Sequence, residues 1–244
     1  MYLSSIKTVY LNQIETQSIG NLDYNNDIHN KNNITAVFDK ITPSSIRTPL
    51  LVKKIRNDLY TIIDGEESYF QAKKNNVENL PCLVIPEESS LTDTCIYYLS
   101  IKNISTFTVP EKVSLLYKFY ERGLSKSLLT TKILPLLELG NHPQTLKHCF
   151  TFAILPQSIR QFCHSKQFSL KQCYRIASFS RELVMMVLNW YPTCHLTASL
   201  FLEFCSTLHD YLRAQSLTIS TFEKSKLSKS ETSNSLPLKF IFFP

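Results

Sequence analysis

The stretch LYTIIDGEESYFQAKKNNVENLPCLVIP, residues 59–86, contains the clearest folding signals in this chain. Its opening run, Leu59–Ile63, is β-branched and aromatic, which favours a strand. Asp64-Gly65 breaks the run, because glycine lets the backbone turn sharply. Glu66 and Glu67 suit the positive end of a helix dipole. Leu80–Ile85 is a second short apolar run, so the stretch predicts a strand, a tight turn, a helix and a strand.

The segments around this stretch extend the α/β pattern. Val9–Ile14 is predicted to be a first strand, and the polar, Asn-rich residues 21–33 are predicted to form a loop. Leu91–Ile101 has apolar residues at helical spacing and is expected to lead out of the first domain.

From Thr108 onward the pattern is helical. Thr108 and Glu111 have the spacing of a capping box, and Gly123 is expected to end that helix. Ser125 begins a second helix to about Leu139, which Pro135 should kink or interrupt. Later boundaries are expected at Gly140–Pro143, Pro156, Ser169 and Pro192, with a last helix over Leu196–Arg213. Residues 225–235 are of low complexity and are expected to be disordered, whereas 236–244 are apolar.

Charge is distributed unevenly along the 244 residues. Residues 1–110 carry 10 Lys and Arg against 12 Asp and Glu, a net of −2, whereas residues 111–244 carry 16 against 8, a net of +8. A basic half favours a polyanionic partner, most often nucleic acid. The alternative is a basic surface that is merely well solvated.

The seven cysteines show no metal or disulfide spacing, which favours a reducing compartment. The histidines show no paired metal-ligand spacing either. The first residues lack the apolar core of a signal peptide, and no apolar run approaches the ~20 residues that span a bilayer. We therefore expect a cytoplasmic protein without a membrane partner.

The stretch at 59–86 resembles the N-terminal domain of ParB, the chromosome and plasmid partition protein of bacteria. The positions that match the family pattern are Ile62, Ile63, Gly65, Glu66, Ala72, Lys73, Leu80, Pro81, Cys82 and Val84. Thr48–Val52 looks like a family strand, and Ile34–Ile46 fits its short helix. Gly123-Leu124-Ser125, Leu139-Gly140-Asn141 and Leu155-Pro156 look like the landmarks of its helix-turn-helix.

The resemblance implies an α+β fold with a small ParB/sulfiredoxin-like α/β domain followed by an all-helical helix-turn-helix domain. We expect the domains at 1–105 and 106–215, followed by a tail at 216–244. It also implies a function: a DNA-binding partition factor or related regulator, associated with the nucleoid. The family usually dimerises, and here only the last helix or the apolar tail is available for that.

In ParB the strand-to-helix turn holds the phosphates of CTP. Carried over by resemblance, the nucleotide-binding candidates of this chain are Asp64, Gly65, Glu66, Lys73 and Asn103. The chain departs from the pattern at this turn, because Glu67 and Ser68 replace paired arginines and Phe70 replaces another. Lys102 stands at a glutamate position of the second nucleotide element. A bound CTP with Mg²⁺ is thus doubtful, and the motif is expected to be degenerate or altered.

The helix-turn-helix candidate spans Ser125–Leu155. Side chains at the start of a recognition helix read base edges, and lysines hold phosphates. The expected DNA-binding residues are Asn141, His142, Gln144, Thr145, Lys147, His148, Lys126 and Lys132. Between Glu111 and Arg181 there are 11 basic and 3 acidic residues. The alternative is an ordinary three-helix unit with a solvated polar face.

Two other functional classes remain open. A nucleotide-dependent phosphotransferase or nuclease on this fold would have to use Asp64, Glu66 and Glu67. The related sulfiredoxins need a reactive cysteine, and the nearest here is Cys82, in a strand. A non-catalytic protein–protein adaptor is the other alternative. The missing arginines favour a protein that is not an enzyme.

Overall fold

A computed structural model describes residues 6–15, 49–194 and 197–222. The chain divides into two compact units, Met1–Cys149 and Phe150–Pro244. The boundary expected near residue 105 stays a prediction. The expected loop at 21–33, the helix at 34–46 and the tail from 225 onward lie outside the described residues.

The first unit contains a mixed sheet, followed along the chain by helices. Its elements are β1 (Ile6–Tyr10), β2 (Ile14–Glu15), β3 (Leu50–Arg56), β4 (Leu59–Asp64), α1 (Glu66–Lys74), β5 (Asn79–Ile85) and α2 (Leu91–Ile101). The five described strands have the order β1-β5-β3-β4-β2. Strand β3 pairs antiparallel with β4 and parallel with β5. The predicted strand-turn-helix-strand at 59–86 is thereby confirmed.

The core of the sheet is built from alternating apolar residues of the strands and from the inner face of α1. Tyr69 and Ala72 of α1 pack with Leu50, Val52 and Ile62 of the strands. This face of α1 is buried, whereas Glu67 and Phe70 point away from the core. The helix is therefore fixed against the sheet, and its first turn is held at the end of β4.

One expected strand differs in its bounds. Val9–Ile14 is not continuous: β1 ends at Tyr10, and Leu11–Gln13 form a 3-10 turn before the short β2. The Gln13 side chain accepts a hydrogen bond from the Tyr10 N–H at 3.2 Å, which closes this turn. The chain thus leaves one edge of the sheet, where β1 pairs with β5, and reaches the other, where β2 pairs with β4.

The helical part begins with α3 (Val109–Glu121). Helix α4 comprises Lys126–Leu128, a π-helical turn over Leu129–Ile133, and Leu134–Leu136. It is followed by α5 (Pro143–Ala153), α6 (Gln157–Ser165), α7 (Leu170–Ala177), α8 (Arg181–Cys194) and α9 (Ala198–Ala214). The expected α+β class, a small sheet domain followed by helices, is confirmed.

Prolines and caps account for several helix boundaries. The Ser169 hydroxyl caps α7 and forms a capping box with Gln172, and Pro156 precedes α6. Pro192 does not end its helix, because α8 continues to Cys194. A proline this close to a helix end removes only one intrahelical hydrogen bond. The last helix begins at Ala198 rather than Leu196, after the Thr197 cap.

Candidate nucleic-acid interface

The turn between β4 and α1 is a tight left-handed corner. Gly65 has φ of 91°, and its carbonyl accepts the Tyr69 N–H at 3.1 Å. A Cβ placed on Gly65 would lie 3.3 Å from Leu50 Cγ. The position therefore needs glycine both for its backbone angle and for its approach to β3. These requirements belong to the fold itself, whether or not a ligand binds.

An ion pair joins the two segments that were predicted to hold a nucleotide. Lys102 Nζ lies 2.6 Å from Asp64 Oδ2, and both side chains are partly shielded from solvent. The same ammonium lies 5.3 Å from the ring centroid of Tyr98. Next to Lys102, Asn103 precedes a 3-10 turn and its Oδ1 accepts the Ser105 hydroxyl at 2.7 Å. The fold thus brings Asp64, Gly65 and the segment before Asn103 to one region.

Lys73 does not join this group. It is exposed in the last turn of α1, seven residues after Glu66, which is about 10 Å along a helix axis. Lys53 of β3 donates to the Ser89 carbonyl at 2.6 Å. Lys102, rather than the expected Lys73, is thus the lysine that contacts Asp64 among the described residues.

A second cation near Tyr98 was not anticipated from the sequence. Arg122 follows α3, and burial lowers the pKa of its guanidinium, while the nearby Cys95, Tyr98 and Glu121 raise it. It is half-buried. The sequence signal for this cation was a basic residue directly after a helix whose apolar residues are at helical spacing.

Cys82 has the environment of a core residue. It is fully buried in β5, and burial raises the pKa of its thiol to about 12. A thiol that stays protonated near neutral pH is a poor nucleophile, which argues against sulfiredoxin-type chemistry at this position. Within the described ranges no group of three or more His, Cys, Asp and Glu side chains is arranged to hold a metal ion.

Helices α4 and α5 with the turn between them form the predicted helix-turn-helix segment. The Ser125 hydroxyl caps α4 by accepting the Leu128 N–H at 3.3 Å. Pro135 lacks an N–H, and the π-helical turn before it lets the Leu134 N–H reach the Leu129 carbonyl. The expected interruption at Pro135 thus takes the form of a wider helical turn, and α4 ends at Leu136 rather than Leu139.

The turn that leads into α5 has two left-handed residues. Glu138 has φ of 57° and Gly140 has φ of 94°. The Leu139 N–H donates to the Leu134 carbonyl at 3.0 Å, and the Thr145 N–H donates to the His142 carbonyl at 2.9 Å. These hydrogen bonds close α4 and open α5. The turn therefore sets the direction in which α5 leaves.

Helix α5 has two distinct faces. Leu146, Cys149 and Phe152 are buried, so the apolar residues of the sequence lie inward. The opposite face carries side chains at helical spacing: Gln144 and Lys147 are exposed, and His148 and Thr151 are half-buried. Asn141 and His142 are exposed before the helix, and Thr145 is half-buried within it. Three of the six predicted base-reading residues, Gln144, Lys147 and His148, therefore share one accessible face of α5.

Hydrogen bonds already organise part of this face. The Gln144 backbone N–H donates to His142 Nδ1 at 3.3 Å, and Gln144 Nε2 lies 2.8 Å from His148 Nε2. Lys126 and Lys132 are exposed on α4, and Lys126 Nζ lies 5.9 Å from the Tyr120 ring centroid. The side chains have room to contact a ligand.

The stretch Gly140–Arg181 contains no Asp or Glu, while it contains Lys147, Arg160, Lys166, Lys171, Arg175 and Arg181. Acidic residues return only at Glu182, Glu203 and Asp210 in the described part of the second unit. Lys166, Lys171 and Arg175 are exposed on and beside α6 and α7. Positive charge is thus concentrated in a segment that begins with α5, the second helix of the predicted helix-turn-helix.

The apolar face of α9 is buried within its own unit. Phe201, Phe204 and Leu208 of α9 are buried, and the Phe201 ring lies 4.6 Å from that of Phe162. The outer face is mostly polar, although Leu200 and Tyr211 are exposed. Within the ranges that the structure describes, no helix is long and apolar enough to cross a membrane.

No protein-family model matches the chain, and no curated protein matches it. Two solved structures of the chromosome-partitioning protein ParB from Caulobacter crescentus, both truncated at the C-terminus, are similar to it. The one complexed to the centromeric parS site has 12% identity and a TM-score of 0.41, with 82% of this chain and 98% of that chain covered. The one complexed with CTP-gamma-S has 15% identity and a TM-score of 0.26, with 72% and 94% covered. At these values neither match assigns this chain a family or a function.

Proposed function

We propose that this chain is a DNA-binding protein of ParB type, acting as a partition factor or a related regulator. The observation that carries the proposal is the accessible face of α5, where Gln144 and Lys147 are exposed beside His148. The acid-free stretch that begins at Gly140 supports it, because phosphates repel carboxylates and attract lysines. In a cell such a protein would be found with the nucleoid in the cytoplasm.

The residues divide into two roles under this proposal. Asn141, His142, Gln144, Thr145, Lys147 and His148 face the base edges, where Gln can pair with adenine through two hydrogen bonds. Lys126 and Lys132 contact phosphates, which adds affinity without sequence choice. To read a base, Gln144 must exchange its contact with His148 for one to the base.

Binding of the full chain to random-sequence duplex DNA across a salt series tests this proposal. The logarithm of affinity should fall steeply with the logarithm of salt, and Lys132→Ala should reduce that slope by about 1. Gln144→Ala should weaken a selected site and leave random DNA unaffected. Lys74→Ala, on an exposed lysine of α1, is the matched control. Absence of binding at low salt would favour a protein–protein adaptor.

We further propose that the nucleotide motif is degenerate, so that CTP is not held as the family holds it. Glu66 and Glu67 lie in the first turn of α1, and Lys102, which the structure places beside this turn, is paired with Asp64. Carboxylates there would repel a triphosphate. Titration of the protein with Mg-CTP should give a dissociation constant weaker than about 1 mM. Micromolar binding would contradict this proposal and leave DNA binding untouched.

We also propose that a homodimer forms through the apolar segment Leu236–Pro244. The apolar face of α9 is already buried within its own unit, which favours the tail over α9 as the contact between two chains. Sedimentation of the full chain and of a chain ending at Ser235 distinguishes the two segments. A dimer that survives the truncation would point back to α9.

A further inference from the structure

A buried lysine of α3 contacts the turn before α5. Lys112 is 7% exposed and lies on the face of α3 that also buries Leu115, Leu116 and Phe119. Its Nζ donates to Glu138 Oε2 at 2.6 Å, and Glu138 itself is largely exposed. Burial of an ammonium carries a desolvation penalty that one ion pair often does not offset. The pair is therefore a weak candidate for a stabilising device.

The backbone conformation of Glu138 is also unfavourable for stability. Its φ of 57° lies in the left-handed region, which glycine occupies without strain and a residue with a Cβ does not. In the described part of the chain, four other residues with a Cβ also have positive φ: Asp58, Asn76, Gln167 and Ser216. The backbone strain therefore does not single out Glu138, whereas its side-chain contact with the buried Lys112 does.

The location of the pair suggests what it does. Glu138 is the last acidic residue before the acid-free stretch and lies three residues from Asn141, where the proposed base-reading residues begin. Lys112 ties this turn to α3 and neutralises the last carboxylate before that stretch. Because Lys112 is buried, its ammonium is not placed to contact a phosphate.

We infer that Lys112 and Glu138 are positioning residues that hold the turn before α5, so that α5 presents its polar face to DNA. This inference rests on the proposed function for its binding consequence. The double variant Lys112→Met/Glu138→Gly removes the buried charge and the left-handed strain together, with no change in net charge. The fold should therefore persist while the anchor is lost.

For duplex DNA we expect the double variant to lose about tenfold in affinity, since coupled residues that position a site act jointly. The slope of affinity against salt should stay unchanged, because neither residue contacts a phosphate. Glu138→Gln retains an acceptor for Lys112 and should keep most of the binding. Lys74→Met/Glu67→Gln, an equally neutral change on α1, is the control. Wild-type affinity in the double variant would overturn the inference.

A readout without DNA separates this inference from the proposed function. Amide hydrogen exchange should accelerate at Leu139 and Thr145 in the double variant, while amides in the sheet keep their protection. Unchanged exchange at these two amides would overturn the inference even if the protein binds DNA. Faster exchange in a protein that does not bind DNA would retain the positioning role and reject the proposed function.

Discussion

At the scale of single residues, a few glycines and one ion pair determine how the chain turns. Gly65 and Gly140 both have left-handed backbones, but only Gly65 lies against a neighbouring strand. Lys112 shows the opposite case, a charged residue on an apolar face. Its spacing with Leu115, Leu116 and Phe119 could have revealed its burial in the sequence. Its partner Glu138 is 26 residues away and could not be found in this way.

The two glycines allow a paired test of backbone strain and steric contact. Gly140→Ala should lower the free energy of unfolding by about 1 kcal/mol, because its φ of 94° is unfavourable for alanine and no atom lies within 4 Å of the added Cβ. Gly65→Ala adds the contact with Leu50 and should cost about 2 kcal/mol or more. Urea denaturation measures both. Equal losses would show that β3 yields easily at Leu50.

At the scale of elements, caps and prolines set where helices begin and how they bend. Pro135 predicts an interrupted helix, and the chain responds with a π-helical turn, which keeps Leu129, Ile133 and Leu134 buried. Sequence alone does not distinguish a kink, a break and a widened turn, because each of them accommodates the hydrogen bond that proline cannot donate. Packing of the apolar face selects one of them.

The cap of α3 provides a test at this scale. The Thr108 hydroxyl donates to Glu111 Oε2 at 2.9 Å and accepts the Glu111 N–H. Thr108→Ala should lower the free energy of unfolding by about 1 kcal/mol. The control is Thr131→Ala in α4, an exposed helical position where alanine is neutral or stabilising. A loss at Thr131 as large as that at Thr108 would argue against a specific capping effect.

At the scale of the whole molecule, buried thiols should lower the free energy of unfolding at alkaline pH. Burial raises the pKa of Cys82, Cys95, Cys149 and Cys205 from 9.0 to about 12. Below pH 9 the thiols are protonated in both states. Above it the unfolded chain loses protons that the folded chain keeps, so the free energy of unfolding should fall as pH rises from 9 towards 12.

Denaturation midpoints at about pH 8 and about pH 10.5 measure this effect. Cys82→Ala/Cys149→Ala should show a smaller fall between the two values than the wild type, since two of the buried thiols are gone. All other residues are the same in both proteins, so their contributions cancel in the comparison. An identical fall in the two proteins would contradict a thiol origin.

What the sequence determined by itself is local. Hydrophobic spacing, scarce glycines and capping residues predicted the strand-turn-helix-strand at 59–86, the helical second part and the polar face of α5, because these depend on neighbours within a few residues. Tertiary structure decided the long-range contacts: Asp64 with Lys102, Lys112 with Glu138, and Lys53 with the Ser89 carbonyl. Such pairs depend on how distant elements pack, and no local pattern in the chain encodes which charges will meet.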